Sequence, residues 1–302
     1  FFSGKRFKIA DGDKIISGRA ALLPADEGDK LLITLNSSLP QPRRLGALGL
    51  SREQQKLLKT ALNKKSGIII IAAKEENGAT STYYSLLNAI KSKQSIYSLE
   101  SYPAHPLNDI NTIDLKRYDG ATGALEKILR LDSEIIGIDA ILSQEDIKSI
   151  WRGARSGRLI IATMQAENSA QALKIIKKAG IGTNDISAHL NLITAQKLFA
   201  RPCSKCLKAS DGDKGIKSAI MQRWPLASSF WPKKIYANRG CRQCRDRQKK
   251  GITAIFEVMR FLPDGRLAAG YRPLIIDALE KAGLGLINME DIASWANPGK
   301  KL

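Results

Sequence analysis

The sequence predicts an α/β fold: a parallel sheet with helices packed on both faces. Apolar runs at 67–73, 95–99, 135–138 and 159–163 lack the polar alternation of a half-buried strand, which marks strands buried on both sides. Between them, 80–90, 122–131, 144–154 and 168–179 repeat apolar residues at helical spacing. With 302 residues, 43% hydrophobic and 25% charged, the chain has the makeup of a soluble globular protein of about two domains.

Ahead of this core, residues 1–36 read as strands and turns. Phe7, Lys8 and Ile9 alternate, 11–13 is a turn, and 30–35 is a short apolar strand. Prolines at 40 and 42 make 37–44 a linker. Ser51 opens a helix as its N-cap, because its hydroxyl accepts from an otherwise orphan amide; Leu57, Leu58, Ala61 and Leu62 follow at helical spacing. From Ile193 the pattern changes to cysteines, turns and basic residues, and 273–295 is helical again. The expected divisions are 1–36, the last part of an N-terminal subdomain; the linker 37–44; a core at 45–195; a tetracysteine subdomain at 196–255; and a helical extension at 256–302.

The longest apolar run, 68–73, falls short of the roughly 18 residues that span a bilayer. No charged stretch followed by a long apolar one marks a cleavable signal. The chain opens on Phe1 and Phe2 without a methionine, so a fragment lacking upstream domains is expected. Forty-eight Lys and Arg against 29 Asp and Glu give +19, which favours acidic partners such as nucleic acid, anionic lipid or an acidic protein surface. The same charge also suits a solvated surface. Its densest run is 233–250, and no aromatic-interleaved stripe of the single-strand-binding kind accompanies it.

All four cysteines fall in two pairs, Cys203 with Cys206 and Cys241 with Cys244. Two residues between thiolates let one turn present both sulfurs to one ion, and a second turn completes a tetrahedral Zn²⁺ set. Lys205, Arg239 and Arg242 would favour the thiolates. Two disulfides or four free thiols are the alternatives, and disulfides require an oxidising compartment. Four cysteines leave no open position on zinc, so its role would be structural.

The stretch 192–206, LITAQKLFARPCSKC, resembles the LVAQRL…CxxC segment of the type II secretion and type IV pilus assembly ATPases. Gly240 with the second cysteine pair, followed by GITAIFEV at 251–258, is similar to that family's GRTAIYEV. RAALLP at 19–24 and LRLD at 129–132 resemble its RVSTLP and LRQD. The resemblance runs in order over nearly the whole chain. It implies a RecA-like core, a small α+β (PAS-like) N-terminal subdomain that is truncated here, and hexamers with nucleotide between subunits. The family's partner-binding amino-terminal domain is expected to be absent.

Against that pattern the hydrolytic parts look degenerate. The family's phosphate loop GPTGSGKS/T is matched by AKEENGAT at 73–80, which keeps only Gly78 and Thr80 and has Ala79 at the lysine. Such a loop needs glycines that let amides converge on phosphate and a lysine that reaches the β and γ oxygens. Glu75 and Glu76 instead bring carboxylates where polyphosphate approaches. The strand ending VGEIRD is matched by IDAILS, with Ala140 at the glutamate and Asp139 one position off; Asp139 would substitute only if the strand slipped by one residue. The EDPVE box is matched from Glu100, with Ser101 at the aspartate, and the STLHTN box has Gln165 at the histidine, unable to carry a proton. Of the sensing arginines, Arg19 matches one, while Lys30 and Thr34 occupy the later positions.

The expectation is therefore a non-hydrolysing pseudo-ATPase that does not rely on ATP or Mg²⁺. It would be a structural or regulatory subunit, cytoplasmic and peripheral at the bacterial inner membrane. Its partners would be an active paralogous ATPase or itself in a ring, and the inner-membrane platform protein. A divergent but working motor driving pilin polymerisation is the alternative. A DNA-binding module for uptake or conjugation is a third reading, motivated by charge alone. His105, His189 and the four tryptophans are expected to be structural. Arg152, Arg155 and Arg158 suit a helix C-terminus or a subunit face.

Overall fold

The computed structural model describes residues 5–11, 14–24, 26, 28–36, 42–90, 95–101, 107, 109–118, 120–210, 214–245, 247–262, 264 and 266–297. Strands β1 (Lys5–Asp11), β2 (Lys14–Leu23) and β3 (Lys30–Asn36) form an antiparallel sheet in that order. Gly12 and Asp13 of the expected turn, and 37–41 of the expected linker, lie outside the described residues. Helix α1 (Arg52–Leu62) follows, and Ser51 caps it as the sequence suggests. The Ser51 hydroxyl accepts from the Gln54 amide while the Gln54 side chain accepts from the Ser51 amide, a reciprocal pair of the kind whose loss costs about 1 kcal/mol.

The core alternates β4 (Gly67–Ala72), α2 (Ala79–Ile90), β5 (Ile96–Glu100), β6 (Ile110–Asp114), α3 (Gly120–Ile128), β7 (Ile135–Ile141), α4 (Gln144–Arg155), β8 (Leu159–Met164), α5 (Ser169–Lys178) and α6 (Thr183–His189). Then come β9 (Leu190–Pro202), β10 (Leu207–Ser210), α7 (Lys214–Arg223), β11 (Ile235–Asn238), β12 (Lys249–Met259), α8 (Leu274–Gly283) and α9 (Met289–Ala296). Seven strands make one sheet in the order β12-β9-β4-β8-β7-β5-β6, parallel except for the antiparallel β12 edge. Ile68, Ile69, Ile70 and Ile71 of β4 are fully buried, alternately toward the two helical layers. Each such side chain contributes roughly 1.5–3 kcal/mol of burial.

Three elements differ from expectation. Strand β6 was not foreseen: at the sheet edge its Asn111 and Thr112 are exposed, so it carries no apolar run. Strands β9 and β12 are longer than the cysteine-rich pattern suggested. The expected division at 195/196 falls inside β9 and that at 255/256 inside β12, where the two strands pair from Lys249–Pro202 to Met259–Ile193. The cysteine segment is thus an excursion of about 45 residues between two strands of the main sheet.

Buried charge fastens α8 to this edge. Glu257 on β12, 1% exposed, accepts from the amides of Ser169 at 2.6 Å and Leu274 at 2.8 Å, so one carboxylate serves the first turns of both α5 and α8. The Tyr271 hydroxyl donates to it at 3.0 Å, and burial followed by the Glu257 charge pushes that phenol far above its usual range. Lys281 donates to Asp277 at 2.7 Å and to the Gly49 and Ala254 carbonyls at 2.8 and 2.6 Å. Burial raises the Asp277 carboxyl and lowers the Lys281 ammonium, the desolvation cost of placing a charged pair in the core.

Candidate functional site

Four segments singled out by sequence follow the carboxyl ends of β4, β8, β7 and β5, which are neighbours in the sheet in that order. Open parallel sheets place their ligand crevices at such ends. The segment after β4 runs over 73–78 and enters α2, whose first residues are Ala79 and Thr80. Its backbone keeps a cradle shape. Gly78 has φ +80°, and Glu76 holds a left-handed φ of 61° where the resemblance implies glycine. Glycine, which has no Cβ, takes that conformation freely, whereas for glutamate it costs about 1 kcal/mol.

The chain's own polar groups tie this loop to its neighbours. Asn77 Oδ1 accepts from the Leu198 amide at 3.0 Å, and the Asn77 carbonyl accepts from Gln196 Nε2 at 2.6 Å. Gln196 Oε1 in turn accepts from Thr82 Oγ1 at 2.7 Å. Above the loop, Gln165 Nε2 donates to Glu75 Oε1 at 3.0 Å, and Lys74 Nζ lies 2.5 Å from Glu167 Oε1. The Lys74 hydrogen bond holds the Glu167 carboxyl below the usual range. The phosphate-loop position and the histidine-box position are therefore joined to each other.

At the end of β5, Glu100 points into the protein and is 1% exposed. Tyr84 donates to one carboxylate oxygen and Ser98 to the other, and the Tyr83 hydroxyl lies 2.7 Å from Ser98 Oγ. Burial, then the Glu100 charge, raises the Tyr83 phenol well above its ordinary value, and Asp139 adds to the effect. Ser101 is half-buried just beyond, and Tyr102 to Pro106, with His105, lie outside the described residues.

On β7 the structure corrects one expectation. Pairing with β8 runs Ile138–Ala162 and then Ile141–Met164, so β7 carries one extra residue between them, at Asp139–Ala140. This bulge re-aims Asp139 and Ala140 locally and leaves Ile135 to Ile138 in register, so no whole-strand slip is required. The Asp139 carbonyl accepts from Thr163 Oγ1 on β8. Arg19 lies on β2, with its side chain outside the described residues.

The four cysteines do meet. Cys203 follows β9, Cys206 precedes β10, and Cys241 and Cys244 form a turn between β11 and β12. Sulfur separations are 3.9 Å for Cys203–Cys241, 4.0 Å for Cys206–Cys244 and 3.7 Å for Cys241–Cys244, and all four sulfurs lie within 4.8 Å of one another. A tetrahedral ion with 2.3 Å bonds spaces its sulfurs by about 3.8 Å, whereas a disulfide needs about 2.05 Å. The set fits a zinc-type ion. Asn238 Nδ2 supports it by donating to Cys206 Sγ at 3.3 Å and to the Cys203 carbonyl at 2.8 Å. Burial pushes the Cys244 thiol up, and donors led by the Cys241 amide outweigh it and bring it down to about 7.

Other singled-out residues are engaged within the chain. Arg152 pairs with Glu126 at 3.2 Å and Arg155 with Asp185 at 2.7 Å, while Arg158 donates to the Ser133, Leu129 and Ser156 carbonyls. Trp151 is buried, Trp224 and Trp295 pack with ring centroids 4.6 Å apart, and His189 is half-buried at the end of α6. Sequence reasoning missed Asn77 and Gln196. A glutamine beside Ala195 in a mostly apolar strand pattern was the available signal, since a buried amide needs partners.

The profile of the family described as type II/IV secretion system protein matches residues 3–270. The type IV pilus assembly ATPase PilB of Acinetobacter baylyi is 28% identical over 261 residues, covering 83% of this chain and 44% of that protein. The protein transport protein HofB homolog of Escherichia coli is 25% identical over 261 residues, covering 85% and 55%. The chain thus spans about half the length of the curated relatives it matches. Among solved structures, the Legionella pneumophila ATPase DotB superposes with a TM-score of 0.68 at 14% identity, over 99% of this chain and 78% of that one, a likeness of fold.

Proposed function

Because the chain belongs to the type II/IV secretion system protein family, we propose that it serves a type IV pilus or type II secretion machine as an ATPase-like component that does not hydrolyse ATP. One observation supports this reading: the loop after β4 is tied to its neighbouring strands by its own side chains. Glu75 is bonded to Gln165, Asn77 is bonded to β9, and no lysine stands at Ala79. A triphosphate entering there would meet the Glu75 and Glu76 carboxylates. Like charges at about 4 Å cost about 1 kcal/mol in water and about 4 near a protein surface. Phosphoryl transfer is mostly positioning and charge stabilisation, so Ala79, Ala140, Ser101 and Gln165 withdraw support from the same transition state.

The chain then acts through contacts. Its partners are an active paralogue or further copies of itself in a ring, together with a membrane platform protein. It works at the cytoplasmic face of the inner membrane. Among the described residues no helix is long and apolar enough to cross a membrane. The cysteine set would hold one structural Zn²⁺ that fixes the excursion between β9 and β12.

The β7 bulge favours a second reading, a divergent motor. A re-aimed Asp139 would replace the missing glutamate at Ala140. Phosphate release from Mg-ATP by the purified protein separates the two. Turnover at the background rate, unchanged by Asp139→Asn, is the expected result. Mg²⁺-dependent release abolished by Asp139→Asn would establish the motor.

A further inference from the structure

The cysteine excursion and the strand ends that carry it hold more than half of the chain's net charge. Residues 201–250 contain fourteen Lys and Arg against three Asp, a net +11 of the chain's +19. All fourteen cations are exposed. Among the described residues only one of them meets a carboxylate, Lys249 with Asp291 at 2.8 Å. Asp211, Asp213 and Asp246 lie outside the described residues and neutralise three cations at most. By contrast, Arg152, Arg155, Arg266 and Arg272, which lie outside this stretch, each pair with a carboxylate. Four thiolates around one Zn²⁺ would carry a charge of about −2, far short of the excess.

The fold concentrates these cations. All four sulfurs lie within 4.8 Å of one another, so the two cysteine turns are held together, and Lys205 and Arg242 stand between the cysteines of each. With Cys244 buried, Arg242, Arg245 and Arg247 remain on the outside of the second turn. At the base of the excursion Lys249 is opposite Pro202 and Ile252 opposite Ala200, so Lys250 and Gly251 bulge against Arg201. Like charges that face each other across a strand pair repel, and an anion lying over both strands relieves that repulsion. We propose that this face binds a nucleic-acid duplex through its phosphates. Protein interfaces bury an apolar centre, and membrane-docking faces insert apolar side chains. Between 231 and 251 no large apolar side chain is exposed among the described residues. The exposed side chains there are those of Lys, Arg and Gln, which contact phosphate, and guanidinium does so with paired donors. Trp231 and Tyr236 are half-buried, so a single strand finds no open stacking platform among them. The site requires neither the crevice at the end of β4 nor ATP.

The probe is a fluorescein-labelled DNA duplex of about 24 base pairs, titrated with the full chain and followed by anisotropy in about 50–200 mM NaCl. Saturable binding is expected at the low end, falling at least about thirtyfold across that range, the loss expected of three phosphate contacts. A duplex of scrambled sequence should bind within about twofold. Arg242→Gln with Arg245→Gln, and separately Arg201→Gln with Lys250→Gln, should each weaken binding at least about tenfold and make the salt dependence shallower. Both double variants are checked for unchanged zinc content and melting temperature. Lys174→Gln with Lys177→Gln removes the same charge from exposed positions on α5 and should change binding less than about twofold. Vesicles of phosphatidylglycerol are the comparison surface and should be bound more weakly than the duplex at equal phosphate concentration. No duplex binding at low salt, equal weakening by all three double variants, or capture by the vesicles in preference to the duplex would overturn the proposal. None of these outcomes depends on ATP turnover, which reports on the crevice.

Discussion

Replacing Cys203 by serine is expected to unfold the excursion between β9 and β12 while the seven-strand sheet stays folded. Cys203 is fully buried, and the cysteines form a cluster of their own with no aliphatic residue among its buried members. The adjoining strands β10 and β11 pair over only four residues each and leave Lys208, Ala209 and Ser210 exposed. Such a segment cannot offset its conformational entropy by apolar burial. A bound Zn²⁺ would supply the difference, since structural zinc contributes about 10–16 kcal/mol to small sites. Losing one thiolate leaves three charged sulfurs with an incomplete ion. Helix α7 should be spared in part, because Ile220 is fully buried in the main core. Hydrogen exchange should therefore rise by several orders of magnitude at 203–210 and 235–248 and stay near wild type in β4, β7 and β8. Metal analysis should fall from about one zinc per chain to well below one. Uniform exchange across sheet and excursion would contradict this account.

Restoring the missing lysine, Ala79→Lys, is expected to leave ATP turnover undetectable. The new ammonium would emerge in the first turn of α2 beside Glu75 and Glu76, which are exposed in the same loop and provide it with carboxylate partners. The Asn77 bonds to β9 and the Gln165–Glu75 bond would remain. So would Ala140 and Gln165. A single lost transition-state group costs about 10²–10³ in rate, and losses of groups that act together do not simply multiply, so turnover about 10²-fold or more below that of an intact motor is expected. A malachite-green phosphate assay with Mg-ATP on the variant checks this. Release within tenfold of an intact family member would show that the lysine alone had been limiting.

The sheet could be read from the sequence because its strands are buried on both faces, and burial writes continuous apolar runs such as 68–72 into the chain. Ser51 was likewise evident, since capping is local chemistry. Strand β6 was not, because an edge strand needs no apolar run. Strands β9 and β12 were obscured because their ends carry Lys197, Arg201, Lys249 and Lys250 as they leave the core. The cysteine set was legible from spacing, since two-residue knuckles restrict what four thiols can hold. The bonds that tie down the loop after β4 were not. Asn77, Gln165 and Gln196 come from three segments each more than 30 residues from the others, and their bonds exist only once β4, β8 and β9 lie side by side. The bulge at Asp139 was hidden for the same reason: it is a property of pairing between β7 and β8 and has no counterpart in the order of residues.

Calorimetric titration of Mg-ATP into the full chain tests most directly whether a cradle closed by its own amides and carboxylates can accept a triphosphate. No saturable binding tighter than about 1 mM is expected, with or without Mg²⁺. A micromolar dissociation constant that depends on Mg²⁺ would contradict the account.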